Sequence, residues 1–220
     1  MERGAGAHFQ NRWVCLVGLV IFAGIVQIQG MTEDDLKLAL ADRAALPEAL
    51  RVLLEDFPRA SWETHPNFDG LVQFWLERHV MFRKLLGMLQ DDSRAMLDRN
   101  MDAQAYAARL LRFGGMMLDQ LHGHHQIEDH QYFPKLKVLD ARLERGFDIL
   151  DKDHHALDGL LNRFAESANG VLGAIADPVA AHDATGAFAA ELTSFEQMLN
   201  RHLQDEEDLI VPVILKTGFG

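Results

Sequence analysis

The chain has 220 residues, a formal charge of −12 at pH 7 and a single cysteine, Cys15. That length suits one domain with a core of its own, and the negative balance repels phosphate backbones, which sets nucleic acid aside as a partner. With no second thiol, zinc–thiolate and iron–sulfur sites are excluded, so any metal must be held by nitrogen and oxygen.

In chain order, residues 1–30 come first and differ from the rest. Arg3 and Arg12 precede an apolar run over 13–28. The run is short for a membrane span and about right for a signal-peptide core, though its small-residue cleavage pattern is poor. In that role the arginines favour a domain-outside orientation, either anchored or exported. A competing reading starts translation at Met31, where Thr32 caps an acidic first turn of Glu33, Asp34 and Asp35. The protein is then cytoplasmic, and membrane contact is expected only if 13–28 is a real anchor.

A helical lead-in is expected next, over about 33–57 and split near Pro47. Four longer helices follow, each with an apolar stripe stepping by three or four residues. The first carries Val72, Trp75, His79, Phe82, Leu86 and Leu89; the second Leu110, Gly114, Met117, Leu121, His124 and Glu128. The third carries Leu143, Phe147, Leu150, His154, Leu157, Leu161 and Phe164. The fourth carries Phe188, Leu192, Phe195, Leu199, His202, Glu206 and Leu209. Asp91-Asp92-Ser93 with Asn100, Pro134, and the Ala- and Gly-rich 167–186 are expected to be the connections. The expected fold is all-α, an up-down-up-down antiparallel four-helix bundle with a short helical N-terminal lead-in. The domain boundaries are placed at 1–30 (apolar segment), 31–66 (lead-in) and 67–216 (bundle).

The chemistry lies in what interrupts the stripes. His124 and Glu128, and again His202 and Glu206, stand four residues apart, one helical turn, so each pair faces the same way. Each pair is followed by a proline ten residues after its histidine (Pro134, Pro212). His79 and His154 add one imidazole from each of the other two helices. Leucine pairs stand at matching offsets after each, Leu85-Leu86 and Leu160-Leu161. Buried carboxylates without partners cost several kcal/mol, roughly, and cations supply the compensation. A mixed imidazole–carboxylate set suits iron, with manganese as the other candidate. The count gives two metals, each with two histidines, and Glu128 and Glu206 free to bridge them. The plainer reading of a single such histidine is a hydrogen-bonded core residue; four on four stripes with two spaced glutamates outweigh it. His122, His125, His130 and His155 fall off the stripes and are expected to support ligands or face solvent, His125 being the foremost candidate for a further ligand. His8, His65 and His182 are expected to be solvated, and Asp129, Asp205 and Glu207 to form an exposed acidic flank.

This order, His79, His124-x-x-x-Glu128 with Phe133-Pro134, His154, then His202-x-x-x-Glu206, resembles the hemerythrin-like (HHE cation-binding) domain family over roughly 69–215. The resemblance implies a four-helix bundle with a non-haem di-iron centre bridged by two carboxylates and an oxo or hydroxo group. His79, His124, His154 and His202 would then be terminal ligands. The oxygen-carrying members have a fifth histidine where this chain has Asp158, and an aspartate five residues after the last histidine where it has Glu206 at four. The pattern is closer to bacterial hemerythrin-like proteins linked to nitric oxide, oxygen sensing or repair of iron centres. The expected function is a di-iron protein that binds or senses O2, NO or peroxide, or handles iron. The alternative is a di-iron redox enzyme reducing NO or peroxide, or repairing iron centres. That alternative requires an external redox partner, because no flavin or haem motif is present.

Overall fold

The computed structural model describes residues 38–220 apart from residue 69; the apolar segment 1–30 and the start of the lead-in lie outside the described residues. The described chain is all helical, with no strand among the described residues. Five α-helices follow one another: α1 (Gly70–Leu97), α2 (Ala103–Ile127), α3 (Phe133–Leu136), α4 (Glu144–Ala174) and α5 (Pro178–Thr217). Of the long helices, α1 packs on α2 and α5, and α4 packs on α2 and α5, which closes a ring around one interior. No helix among the described residues is long and apolar enough to cross a membrane.

All four apolar stripes are buried as the spacing predicts. They form two hydrophobic clusters. One holds Phe82, Leu121, Leu157 and Leu203 among others; the second holds Trp75, Phe133, Leu150 and Leu209. On each long helix, or its continuation, the histidines fall between a residue of one cluster and a residue of the other. The polar site is thus walled above and below by apolar side chains.

The connections are shorter than the sequence suggests. Asp91-Asp92-Ser93 lie inside α1, where Asp92 accepts from Arg109 at 2.7 Å and the Ser93 hydroxyl shares a hydrogen bond with Tyr106 at 2.9 Å. Polar residues with partners on the next helix no longer need a loop. The turn comes at Arg99, whose φ is 58°. Asp102 then caps α2, its carboxylate accepting from the backbone N–H groups of Gln104 and Ala105 at 3.0 Å each. Asp102→Ala should lower stability by about 1 kcal/mol, the usual cost of a lost cap, as read from urea melts.

The Ala-rich 167–186 is helical almost throughout, because alanine is the strongest helix former. Only 175–177 interrupts it, and Asp177 caps α5 with Pro178 in the first turn. Pro134 does not open a turn. The backbone continues from α2 through a wider π-helical turn, Glu128–Tyr132, into α3. Pro212 likewise sits inside α5, which ends at Gly218 in the left-handed conformation (φ 65°).

The lead-in differs most from expectation. Residues 38–66 form turns and two short 3₁₀ segments, Glu48–Leu50 and Arg59–Thr64. Leu46, Leu53 and Trp62 are buried in the same cluster as Leu209–Leu215 of α5. From Asp205 to Leu215 every residue of α5 is buried. Successive helical residues point about 100° apart, so this stretch is covered on all sides, by the other helices and by the lead-in.

Candidate metal centre

The structure brings all six sequence-predicted residues to one place. His79 and His124, from α1 and α2, join Glu128 and Glu206 in one group whose donor atoms lie within 4.8 Å of one another. His154 of α4 and His202 of α5 form a second such group, and the third member is His125. The carboxylates link the two. Glu128 Oε1 is 2.9 Å from His124 Nε2, and its Oε2 is 3.5 Å from His154 Nε2. Glu206 Oε2 is 3.4 Å from His79 Nε2 and 3.5 Å from His202 Nε2. The other Glu206 oxygen accepts from the Trp75 indole N–H at 2.6 Å.

Nine buried side-chain nitrogen and oxygen atoms among the described residues have no hydrogen-bond partner. All nine belong to His79, His124, His125, Glu128, His154, His202 and Glu206. Buried polar atoms are otherwise almost always paired. Each orphan costs on the order of 1–3 kcal/mol, and nine in one cluster is a donor set built for something other than protein. Nitrogen and carboxylate oxygen are the donors that cations take.

His125 is the residue the stripe reading left aside. It is buried, stacks on His154 with ring centroids 4.1 Å apart, and leaves both ring nitrogens unpartnered. A signal was present: Leu121, His125 and Glu128 also step by four and three. Asp158, at the position of the fifth family histidine, has a side chain 40% exposed and lies 3.9 Å from His122, outside both groups. His122, His130, His155 and His182 are exposed; His65 is half-buried, its Nδ1 accepting from the Asn67 backbone.

Around the donors stands a ring of carboxylates. Glu207 meets His79 Nδ1 at 3.0 Å, Asp129 meets His154 Nδ1 at 2.7 Å, and Asp153 meets His202 Nδ1 at 3.4 Å. Each contact places the proton on Nδ1 and turns the Nε2 lone pair inward, the tautomer a metal requires. The expected exposed flank is therefore corrected: Asp205 and Glu207 are buried, and Asp129 faces His154. The π-helical turn explains Asp129. A wider turn lets adjacent residues, Glu128 and Asp129, both face the interior, and such turns recur at functional sites.

Electrostatics follow the same division. Burial holds His124 down to about 3 and keeps His125 well below the ordinary imidazole value, helped by the neighbouring imidazoles. Burial also lowers His202. For His79 burial again opposes the charged form, but the carboxylates of Glu206 and Glu207 outweigh it and raise the value. Glu128 is pushed well above the carboxylate range by burial and by Glu206. Glu206 is held well below it, since His79, Glu128 and His124 outweigh its burial.

Fold and site together define an all-helical domain with an interior nitrogen–oxygen cation site. The family model of the hemerythrin HHE cation binding domain matches residues 70–214, and the chain belongs to that family. Comparison with curated proteins gives no match, and neither does comparison with solved structures.

Proposed function

We propose that the domain holds two iron ions as a non-haem, carboxylate-bridged pair and uses them to bind or sense a small ligand, O2, NO or peroxide. The observation that carries this reading is the convergence of all nine orphaned donor atoms on two adjacent groups. His79 and His124 would serve one position, His125, His154 and His202 the other, with Glu128 and Glu206 between them. The assignment makes the pair asymmetric, two imidazoles against three. It also returns a fifth imidazole to the site from α2, although position 158 lacks it. Manganese is compatible with the same donors.

Iron with fewer than six ligands supplies a coordination position for a diatomic molecule. The chain's own part is to orient and to exclude. Asp129, Asp153 and Glu207 fix the imidazole tautomers, Trp75 steers Glu206, and Phe133 stacks on His154 at 5.4 Å. Phe82, Leu121, Leu157, Leu150 and Leu209 keep bulk water away from the donors. An up-down-up-down course of α1, α2, α4 and α5 is part of the proposal. It is supported by the alternation along the chain: α1 and α4 pass from the Trp75 cluster to the Phe82 cluster, whereas α5, and α2 with its continuation into α3, pass the reverse way.

Metal analysis of the purified protein should give two irons per chain with a near-ultraviolet charge-transfer band. His124→Ala should lose about half of that metal or more. Unchanged iron in this variant would defeat the assignment. A stable NO adduct of the reduced protein supports a binding role, whereas steady NO consumption with added reductant would replace it with the redox enzyme.

A further inference from the structure

The match to the family begins at residue 70, yet residues before it reach the site's outer ring. Arg43 has a side chain only 2% exposed. It grips Asp153 through both terminal nitrogens, and its Nε donates to Asp205 at 2.8 Å. Asp153 is the carboxylate that faces His202. Arg59 donates to Glu207 Oε2 at 2.8 Å; Arg83 of α1 donates to Oε1 at 2.9 Å, the oxygen that faces His79 at 3.0 Å. The lead-in therefore sends one guanidinium toward each of the two donor groups. Its Leu46, Leu53 and Trp62 pin the segment against α5, and the Leu46 backbone N–H donates to Asp205 at 3.1 Å. The third orienting carboxylate, Asp129, has no arginine contact among the described residues, so the molecule carries its own contrast.

We propose that residues 38–64 act as a strap whose Arg43 and Arg59 set the donor strength of His202 and His79, and with it the reduction potential of the bound metals. This rests on the proposed iron pair. A bare carboxylate draws the Nδ1 proton and makes the imidazole a stronger donor to the oxidised metal. An arginine on that carboxylate weakens the pull and keeps the imidazole neutral. Its positive charge also disfavours the oxidised state. Both effects raise the potential, so their signs agree. Arg43 and Arg59 are positioning residues and touch no donor atom of the site.

The test is redox titration of iron-loaded full-length protein, following the charge-transfer band, with iron content measured alongside. Arg43→Met and Arg59→Gln should each lower the midpoint potential with two irons retained. The shift should be larger for Arg43, because Arg59 is 41% exposed and screened by solvent. Arg43→Lys should recover part of the shift. Arg163→Gln, which breaks an exposed pair with Glu191, should leave the potential alone. If Arg43→Met fails to fold, Arg59→Gln compared with and without Arg83→Gln decides, because Arg83 also holds Glu207. Normal iron with an unmoved potential in the Arg59 and Arg43 variants overturns the strap while leaving the iron site standing. A wild-type protein without iron instead overturns the underlying site.

Discussion

Glu206→Gln is expected to weaken both metal positions at once, by at least about 100-fold, the upper end of what changes outside the ligand shell cost. Its Oε2 lies 3.4 Å from His79 Nε2 and 3.5 Å from His202 Nε2, one atom in reach of both groups. The glutamine keeps the volume, and its carbonyl can still accept from Trp75. What it loses is the negative charge between two cations. Without that charge the cations repel across the site with less to offset them. Replacing a terminal imidazole behaves differently: His79→Ala should chiefly empty the position served by His79 and His124. Metal titration of chelator-treated protein, counted by elemental analysis, separates the two patterns. Two tightly held ions in Glu206→Gln would remove Glu206 from the bridge. A melt of the metal-free variant is the control for folding, since the substitution also removes the charge that faces His79 at 3.4 Å.

The fold was legible where one side of a helix packs and the other does not. Stripes stepping by three and four appear in the sequence because a helix buried on one face repeats that face every 3.6 residues. His79, His124, His154, His202, Glu128 and Glu206 were legible for the same reason, as polar residues where apolar ones belong. His125 sits one residue off a stripe, so the sequence offers it only as a candidate; the fold brings Leu121, His125 and Glu128 inward together. The step from Glu128 to the next buried aromatic, Phe133, is five residues, the trace that a π-helical turn leaves in the sequence. Within the acidic run Asp205–Asp208, Asp205 and Glu207 misled, because charges normally face water. Here the lead-in covers the outer face of α5 and meets those charges with Arg43, Arg51 and Arg59. No local pattern announces those partnerships: Arg43 finds Asp153 across 110 residues and Asp205 across 162.

A site that leaves donors unpaired has a cost, and acid should expose it. In the folded, metal-free protein His124, His125 and His202 are all held below the ordinary imidazole value, His124 to about 3. The unfolded chain protonates them near 6.5. A depressed imidazole means that unfolding takes up protons, so stability falls as pH drops below that value. His124 and His125, held furthest down, together give a slope of about 3 kcal/mol per pH unit, and His202 adds to it in the same direction. Glu128 works the other way: its carboxyl is protonated when folded and releases its proton on unfolding above the ordinary carboxylate value. That offsets part of the histidine slope just above the ordinary carboxylate value. His79, raised instead, is protonated in both states over this range and adds nothing to the slope. Against a total stability of roughly 5–15 kcal/mol, the metal-free protein should unfold within a few units of acidification. Urea melts of chelator-treated protein at stepped pH measure the slope. His125→Leu provides the decisive comparison: it should flatten the slope by about 1.4 kcal/mol per unit, stabilise the metal-free protein, and cost the iron-loaded protein one metal. A variant that kept the wild-type slope would mean that His125 is not the neutral, buried imidazole this site requires.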